Sequence, residues 1–109
     1  MGDLFNKQCK PCDGDTQHLT QEEISVLLNQ LDSWTQSDQI ISKVFEFNNH
    51  YQTIAFVNAL AWISHREDHH PDMKVGYNKC CIEYTTHSVG GLSENDFICA
   101  AKVDSLLKI

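Results

Sequence analysis

The run Asp68-His69-His70-Pro71-Asp72 marks where one element must end and the next begin. Proline has no N–H and restricts the residue before it, so two histidines ahead of Pro71 are a poor fit to the interior of a helix or of a central strand. They belong at a junction. Upstream, His50 to about Glu67 carries Tyr51, Ile54, Ala55, Ala59, Leu60, Trp62 and Ile63 as a wide apolar side, with Asn48-Asn49 placed to cap it, which predicts a long helix lying across a sheet. Downstream, strands at 72–76 and 79–87 flank Tyr77-Asn78 as a tight turn. Ile82, Tyr84 and Thr86 share one face of the second strand, and Cys81, Glu83, Thr85 and His87 share the other. His87 therefore falls on the more polar face, ahead of a loop Ser88-Val89-Gly90-Gly91. Three imidazoles on the ends of two elements point to one site.

The remaining elements follow from caps and periodicity. Thr20-Gln21-Glu22-Glu23 is a capping box, and Ile24, Leu27, Leu28 and Leu31 form a helical stripe, which predicts a helix from Gln21 to about Leu31. Trp34 falls in a short strand, Ser37-Asp38 supplies a turn, and residues 40–47 read as a strand with Lys43, Phe45 and Phe47 opposite Ser42, Val44 and Glu46. Ser93-Glu94-Asn95-Asp96 opens a last helix with Phe97, Ala100, Ala101, Val103, Leu106 and Leu107 apolar. The order α-β-β-α-β-β-α with short links predicts an α+β fold, a four-stranded antiparallel sheet with helices packed on one face. The uncovered face or a sheet edge is then open to a partner subunit.

At 109 residues the chain makes one domain, expected over 20–109 behind a flexible polar leader, 1–19, that carries Gly2, Pro11 and Gly14 and no periodic pattern. A domain of this size buries only about two-thirds of its unfolded surface, so an oligomer is expected. Lys+Arg 8 against Asp+Glu 15 gives a net charge of −7, which argues against nucleic acid and anionic membrane and for a small uncharged ligand or another protein. No apolar run is long enough to span a bilayer and the first residues are not a secretion signal, so the expected location is cytoplasmic. Five cysteines, with Cys80 and Cys81 adjacent on a strand, suit reduced thiols rather than a disulfide framework. Cys9-Lys10-Pro11-Cys12 has the spacing of a redox pair or half a zinc site, but without strand-to-helix context or a second pair it reads as mobile tail.

His65 and His69 stand at i, i+4, a zinc-binding spacing within a continuous helix, with His87 a possible third ligand. Pro71 interrupts that helix, and no metal is expected. As plain helix-terminal residues, histidines complement the negative end of the helix dipole, which accounts for one of the three and not for His87.

His69-His70-Pro71, Tyr77 after five residues, His87 after nine more and Asp96 after eight more closely resemble the signature of the pterin carbinolamine dehydratases, and the resemblance runs from Thr20 to Leu107 through Trp34 and the Gly91-to-Asp96 segment. The leader with Cys9 and Cys12 also looks like that of bacterial members. The resemblance implies the fold reached above, a dimer or tetramer, and dehydration of a 4a-hydroxytetrahydropterin to the quinonoid dihydropterin with no cofactor. That carbinolamine is what an aromatic amino-acid hydroxylase leaves of its pterin. It implies acid–base roles for His69 and His87, and substrate binding or proton sharing for His70. Losing water from a carbinolamine needs one proton delivered to the hydroxyl and one removed from a ring nitrogen, and histidine titrates where it can do either.

Asp96 orients an imidazole or serves as a capping-box acid, Tyr77 stacks on the pterin or fills the hairpin, and Trp34 matches a family tryptophan near the site or closes the core. Many relatives carry glutamate four residues before His69. Here that position is His65, onto which no catalytic role is carried, and Glu67 or Asp68 substitutes only in part. Some relatives also act as dimerisation cofactors for a transcription factor, and the apolar face with Phe97, Val103 and Leu106 is the candidate surface for that alternative.

Overall fold

The computed structural model describes residues 3–12 and 16–108, the last as backbone alone; Met1, Gly2, residues 13–15 and Ile109, and with them part of the expected leader, lie outside the described residues. Helix α1 (Gln21–Leu28) is shorter than its leucine stripe suggests, because the chain leaves the helix through a turn while Leu31 still reaches the core. Its capping box is formed, Thr20 Oγ1 accepting from Glu23 N–H at 3.2 Å and Glu23 reaching back to Thr20 N–H at 2.8 Å. Strands β1 (Thr35–Ser37) and β2 (Ile40–Glu46) join through Asp38, whose left-handed backbone closes the turn. Helix α2 (His50–Glu67) is capped by Asn49, whose side chain accepts from Gln52 N–H at 2.9 Å. Strands β3 (Asp72–Val75) and β4 (Lys79–Tyr84) and helix α3 (Glu94–Ser105) complete the fold.

The sheet is antiparallel throughout, in the order β1-β2-β4-β3, and the α+β architecture is the expected one. Ile41 and Phe45 of β2 and Cys80, Ile82 and Tyr84 of β4 point to the helices, where they meet Ile24, Phe56, Leu60, Leu92, Phe97, Ile98 and Val103. Each such side chain contributes about 1.5–3 kcal/mol on burial. The alternative docking surface on the last helix is corrected here: Phe97 and Val103 are fully buried and face no partner.

Two further expectations change. The side of α2 turned to the sheet is Thr53, Phe56 and Leu60, whereas Tyr51 and Trp62, placed on its apolar side, are 85% and 63% exposed. The described part of the leader lies along α3. Leu4 is buried, Lys7 pairs with Glu94 at 3.0 Å, Cys9 N–H donates to Glu67 at 2.9 Å, and Leu19 N–H donates to Leu92 O at 2.8 Å. One apolar anchor and a few backbone bonds leave no periodic trace in a sequence. Among the described residues no helix is long and apolar enough to cross a membrane.

Trp34 belongs to this core. Its ring packs on Phe45 and Tyr84, and its indole N–H donates to both oxygens of Asp104 at 3.1 Å, while Lys43 reaches Asp104 at 2.9 Å. Replacing Trp34 by Phe keeps most of the apolar volume but strips a half-buried carboxylate of one donor, and urea unfolding should show a loss of about 1–3 kcal/mol.

Candidate active site

The junction after α2 is built as Pro71 demands. Asp68 adopts the left-handed conformation (φ 53°), its N–H and that of His69 both donate to Ser64 O, and the chain turns off the helix axis just before the two histidines. Left-handed backbone ends helices cleanly, although glycine adopts it at lower cost than aspartate. His65 and His69 therefore do not share one helix face. His65 lies against Trp62 at 5.4 Å.

At the other strand end, β4 stops at Tyr84, and Thr86 forms an isolated bridge with Gly91, its N–H donating to Gly91 O at 3.0 Å. This bridge ties off a one-turn 3₁₀ segment, His87–Val89, so His87 sits on a closed loop rather than on the strand extension expected. Gly90 takes φ 69°. A side chain at Gly91 would collide with Gln39 Oε1 and His18 Cβ.

Asp96 stands between these two ends. The residue is fully buried, and its carboxylate accepts from three directions: His69 Nε2 at 2.6 Å on Oδ1, and Thr86 Oγ1 at 2.8 Å and Ser93 N–H at 2.9 Å on Oδ2. Thr86 Oγ1 also lies 2.7 Å from Ser93 Oγ. A carboxylate oxygen accepts, so a hydrogen on His69 Nε2 makes this bond and leaves Nδ1 outside it. The capping role and the orienting role thus fall to one side chain. The His69 ring also stacks on Tyr84, centroids 5.7 Å apart and 12° from parallel. Burial above all, then neighbouring Cys99, Cys9 and Asp96, pushes the Tyr84 phenol up, so Tyr84 is a neutral platform.

His69, His70 and His87 line one open cleft of about 260 Å³ with Asp68, Asp72, Glu83, Thr85, Thr86 and Ser88. Asp72 and Glu83 are direct cross-strand partners of β3 and β4, so both carboxylates stand on its wall. The cleft is not the largest hollow. A cavity of about 580 Å³ opens between Leu4, Leu31, Lys43, Asp104 and Leu107, but it holds no histidine and its Lys43 and Asp104 are already paired. Proton chemistry needs titratable groups that converge on free space, and the histidine cleft has them. Among the described residues no group of three His, Cys, Asp or Glu stands ready for a metal ion.

The other two candidates lie apart. Trp34 is in the core, and Tyr77 is 67% exposed at the opposite end of the β3–β4 hairpin, stacked on His50 at 6.0 Å. Of the two acids weighed as substitutes at the His65 position, Asp68 lines the cleft, whereas Glu67 is turned to Cys9 and Lys102. Thr86, Ser93 and Tyr84 join the site without having been singled out. The inward alternation of Tyr84 and Thr86 marked two of them, but it marks core residues equally, and Ser93 was marked only as a helix cap.

A sequence model of the family described as pterin 4 alpha carbinolamine dehydratase matches residues 17–106. A Nitrosospira multiformis protein named "Putative pterin-4-alpha-carbinolamine dehydratase" is 66% identical over 109 residues, covering 100% of this chain and 96% of the relative. A Nitrosomonas europaea protein of the same name is 62% identical over 97% of this chain and 95% of its own length. Among solved structures, a Brucella melitensis protein titled transcriptional coactivator/pterin dehydratase superposes with TM-score 0.80 at 28% identity, covering 83% of this chain and 98% of that one. A pterin dehydratase-like protein described as a RuBisCO assembly factor in the alpha-carboxysome gives TM-score 0.59 at 32% identity, over 69% of this chain and 89% of that one.

The Asp96 network is open to a direct stability test. Thr86→Val removes a donor from a buried carboxylate at nearly constant volume and should cost about 1–3 kcal/mol in urea unfolding, and Thr86→Ser should restore most of that loss.

Proposed function

The chain belongs to the pterin 4 alpha carbinolamine dehydratase family, and from that membership we propose that its histidine cleft dehydrates a 4a-hydroxytetrahydropterin to the quinonoid dihydropterin. The reading rests on one observation above the others: three imidazoles from two separate junctions line a single hollow, one of them tied to a buried carboxylate. In the reaction the bond from C4a to its hydroxyl breaks, a proton joins the leaving oxygen, and the N5 proton departs as the double bond forms. No electron is gained or lost overall, so a proton donor and a proton acceptor on either side of the ring suffice. His69 and His87 take these two tasks, and His70 holds the ring or shares the proton. Asp96 is a positioning residue that keeps His69 aimed and in one tautomer.

The lining supports an uncharged substrate. Among the described residues it presents Asp68, Asp72 and Glu83 and no lysine or arginine, so a phosphorylated pterin would meet three carboxylates with only the imidazoles to offset them. The physiological setting we propose is cytoplasmic recycling of the pterin released by an aromatic amino-acid hydroxylase, and five free cysteines suit a reducing compartment.

Association accompanies the chemistry in this proposal. Tyr51 and Trp62 leave an apolar stripe on the outer side of α2, which supports a homodimer or homotetramer. The same stripe is one surface that a protein-docking role, of the kind named for the Brucella and carboxysome proteins, could use.

Two outcomes test this. Following quinonoid dihydropterin absorbance, His69→Ala and His87→Ala should each lose about 10²–10⁴ in rate with circular dichroism unchanged, and a chelator should leave the parent rate intact. A parent that gives no acceleration overturns the enzyme. In light scattering, Trp62→Glu should reduce the particle mass to that of a smaller assembly, and an unchanged mass removes α2 from the interface.

A further inference from the structure

Three of the five free cysteines gather at the start of α3, behind the cleft rather than in it. The Cys9 and Cys99 sulfurs stand 3.5 Å apart although 90 residues separate them in the chain. Cys12 lies on the other side of Asn95, whose side-chain N–H meets the Cys12 sulfur at 3.3 Å. The segment between them is clamped: Cys9 N–H donates to Glu67, Lys10 N–H donates to Asn95 Oδ1 at 3.0 Å, and Asn95 Nδ2 donates to Lys10 O at 2.7 Å. Cys99 follows Asp96 by three residues on α3, and its thiol points to the His69 carbonyl at 4.0 Å. Cys80 and Cys81 have no comparable arrangement, being neighbours on opposite faces of β4.

We infer that Cys9, Cys12 and Cys99 form a thiol–disulfide exchange site, in which a low-molecular-weight disulfide enters at Cys12 and leaves Cys9 and Cys99 joined. Cys12 loses its proton and attacks one sulfur of the reagent, RS–SR, expelling RS⁻, which takes up that proton. Cys9 then gives up its proton as it attacks the Cys12 sulfur of the mixed disulfide, and the expelled second RS⁻ takes that proton, closing Cys9 to Cys12. Cys99 attacks the Cys9 sulfur at its short separation, and Cys12 leaves as a thiol. Two protein thiols are oxidised by two electrons and one RS–SR is reduced to two RSH.

The surroundings set which thiol meets the reagent first. Cys99 first, then burial and Glu67, push the Cys9 thiol up, so Cys9 is held protonated and does not react first with a reagent from solvent. Cys99 is fully buried and cannot be the entry point, whereas Cys12 is partly exposed. The product ties the leader to α3 across 90 residues, directly behind His69. The spacing of Cys9-Lys10-Pro11-Cys12 thereby acquires a use that the dehydration does not give it.

The test uses the full reduced chain treated with oxidised glutathione, then blocked with N-ethylmaleimide. Before blocking, the expected product is lighter than the reduced chain by two hydrogens and carries no glutathione; on denaturation it takes up maleimide at Cys12, Cys80 and Cys81 and maps to a Cys9–Cys99 link. Its melting temperature should rise by about 10 °C or more, because so long a loop is closed. Cys12→Ser should slow formation of the link at least about tenfold. A final Cys9–Cys12 link, a stable glutathione adduct, a link through Cys80 or Cys81, or an unchanged melting temperature overturns the inference. Equal rates with and without Cys12 overturn its entry route.

Discussion

A carboxylate cannot sit at zero exposure without donors around it, and Asp96 finds its donors on three separate parts of the chain. Ser93 N–H comes from the start of α3, the Thr86 hydroxyl from the exit of β4, and His69 Nε2 from the junction after α2. An unpaired buried charge costs several kcal/mol, so these parts are held to one relative placement as firmly as any apolar contact holds them. The cleft is a consequence of that placement. His70 follows His69 and His87 follows Thr86, so fixing Asp96 brings both exposed imidazoles to the same hollow.

The same economy explains why a small domain can afford a polar centre. Beneath the carboxylate lies a continuous apolar layer, with Tyr84 between the His69 ring and Trp34. Tyr84 is buried beside Cys99 without a well-formed hydrogen bond for its hydroxyl among the described residues, an orphaned polar group of the kind that protein interiors seldom keep. Its flat ring supports His69 from the core side, while Asp96 holds the same ring by its edge. An imidazole fixed in two directions is suited to exchanging protons with a rigid heterocycle, since little rotamer freedom remains to be lost when the substrate arrives.

Much of this was legible in the sequence, for reasons that differ by residue. Pro71 and the caps at Thr20, Asn49 and Ser93 mark element ends through local chemistry, so the order of helices and strands followed from them. Periodicity shows how wide an apolar face is but not which part of it meets the sheet. That is why Tyr51 and Trp62 stood on the inner side of α2 in the sequence reading, while Thr53 and Phe56 occupy it in the structure. Trp34 and Tyr77 carried two meanings each, and only tertiary placement puts the first in the core and the second at the far turn. The docking of residues 3–12 on α3 depends on Leu4, Cys9 and Asn95 meeting across the chain, which no local pattern encodes.

The account stands on three imidazoles answering to one ligand, with His69 held through Nε2. A long-range ¹H–¹⁵N spectrum of histidine-labelled protein, titrated with a dihydropterin, measures both at once. The account predicts an Nε2–H tautomer at His69 before and after titration, and ring signals of His69, His70 and His87 that move together to a single saturation point. An Nδ1–H tautomer at His69, or a His87 signal that stays in place while the others shift, would contradict it.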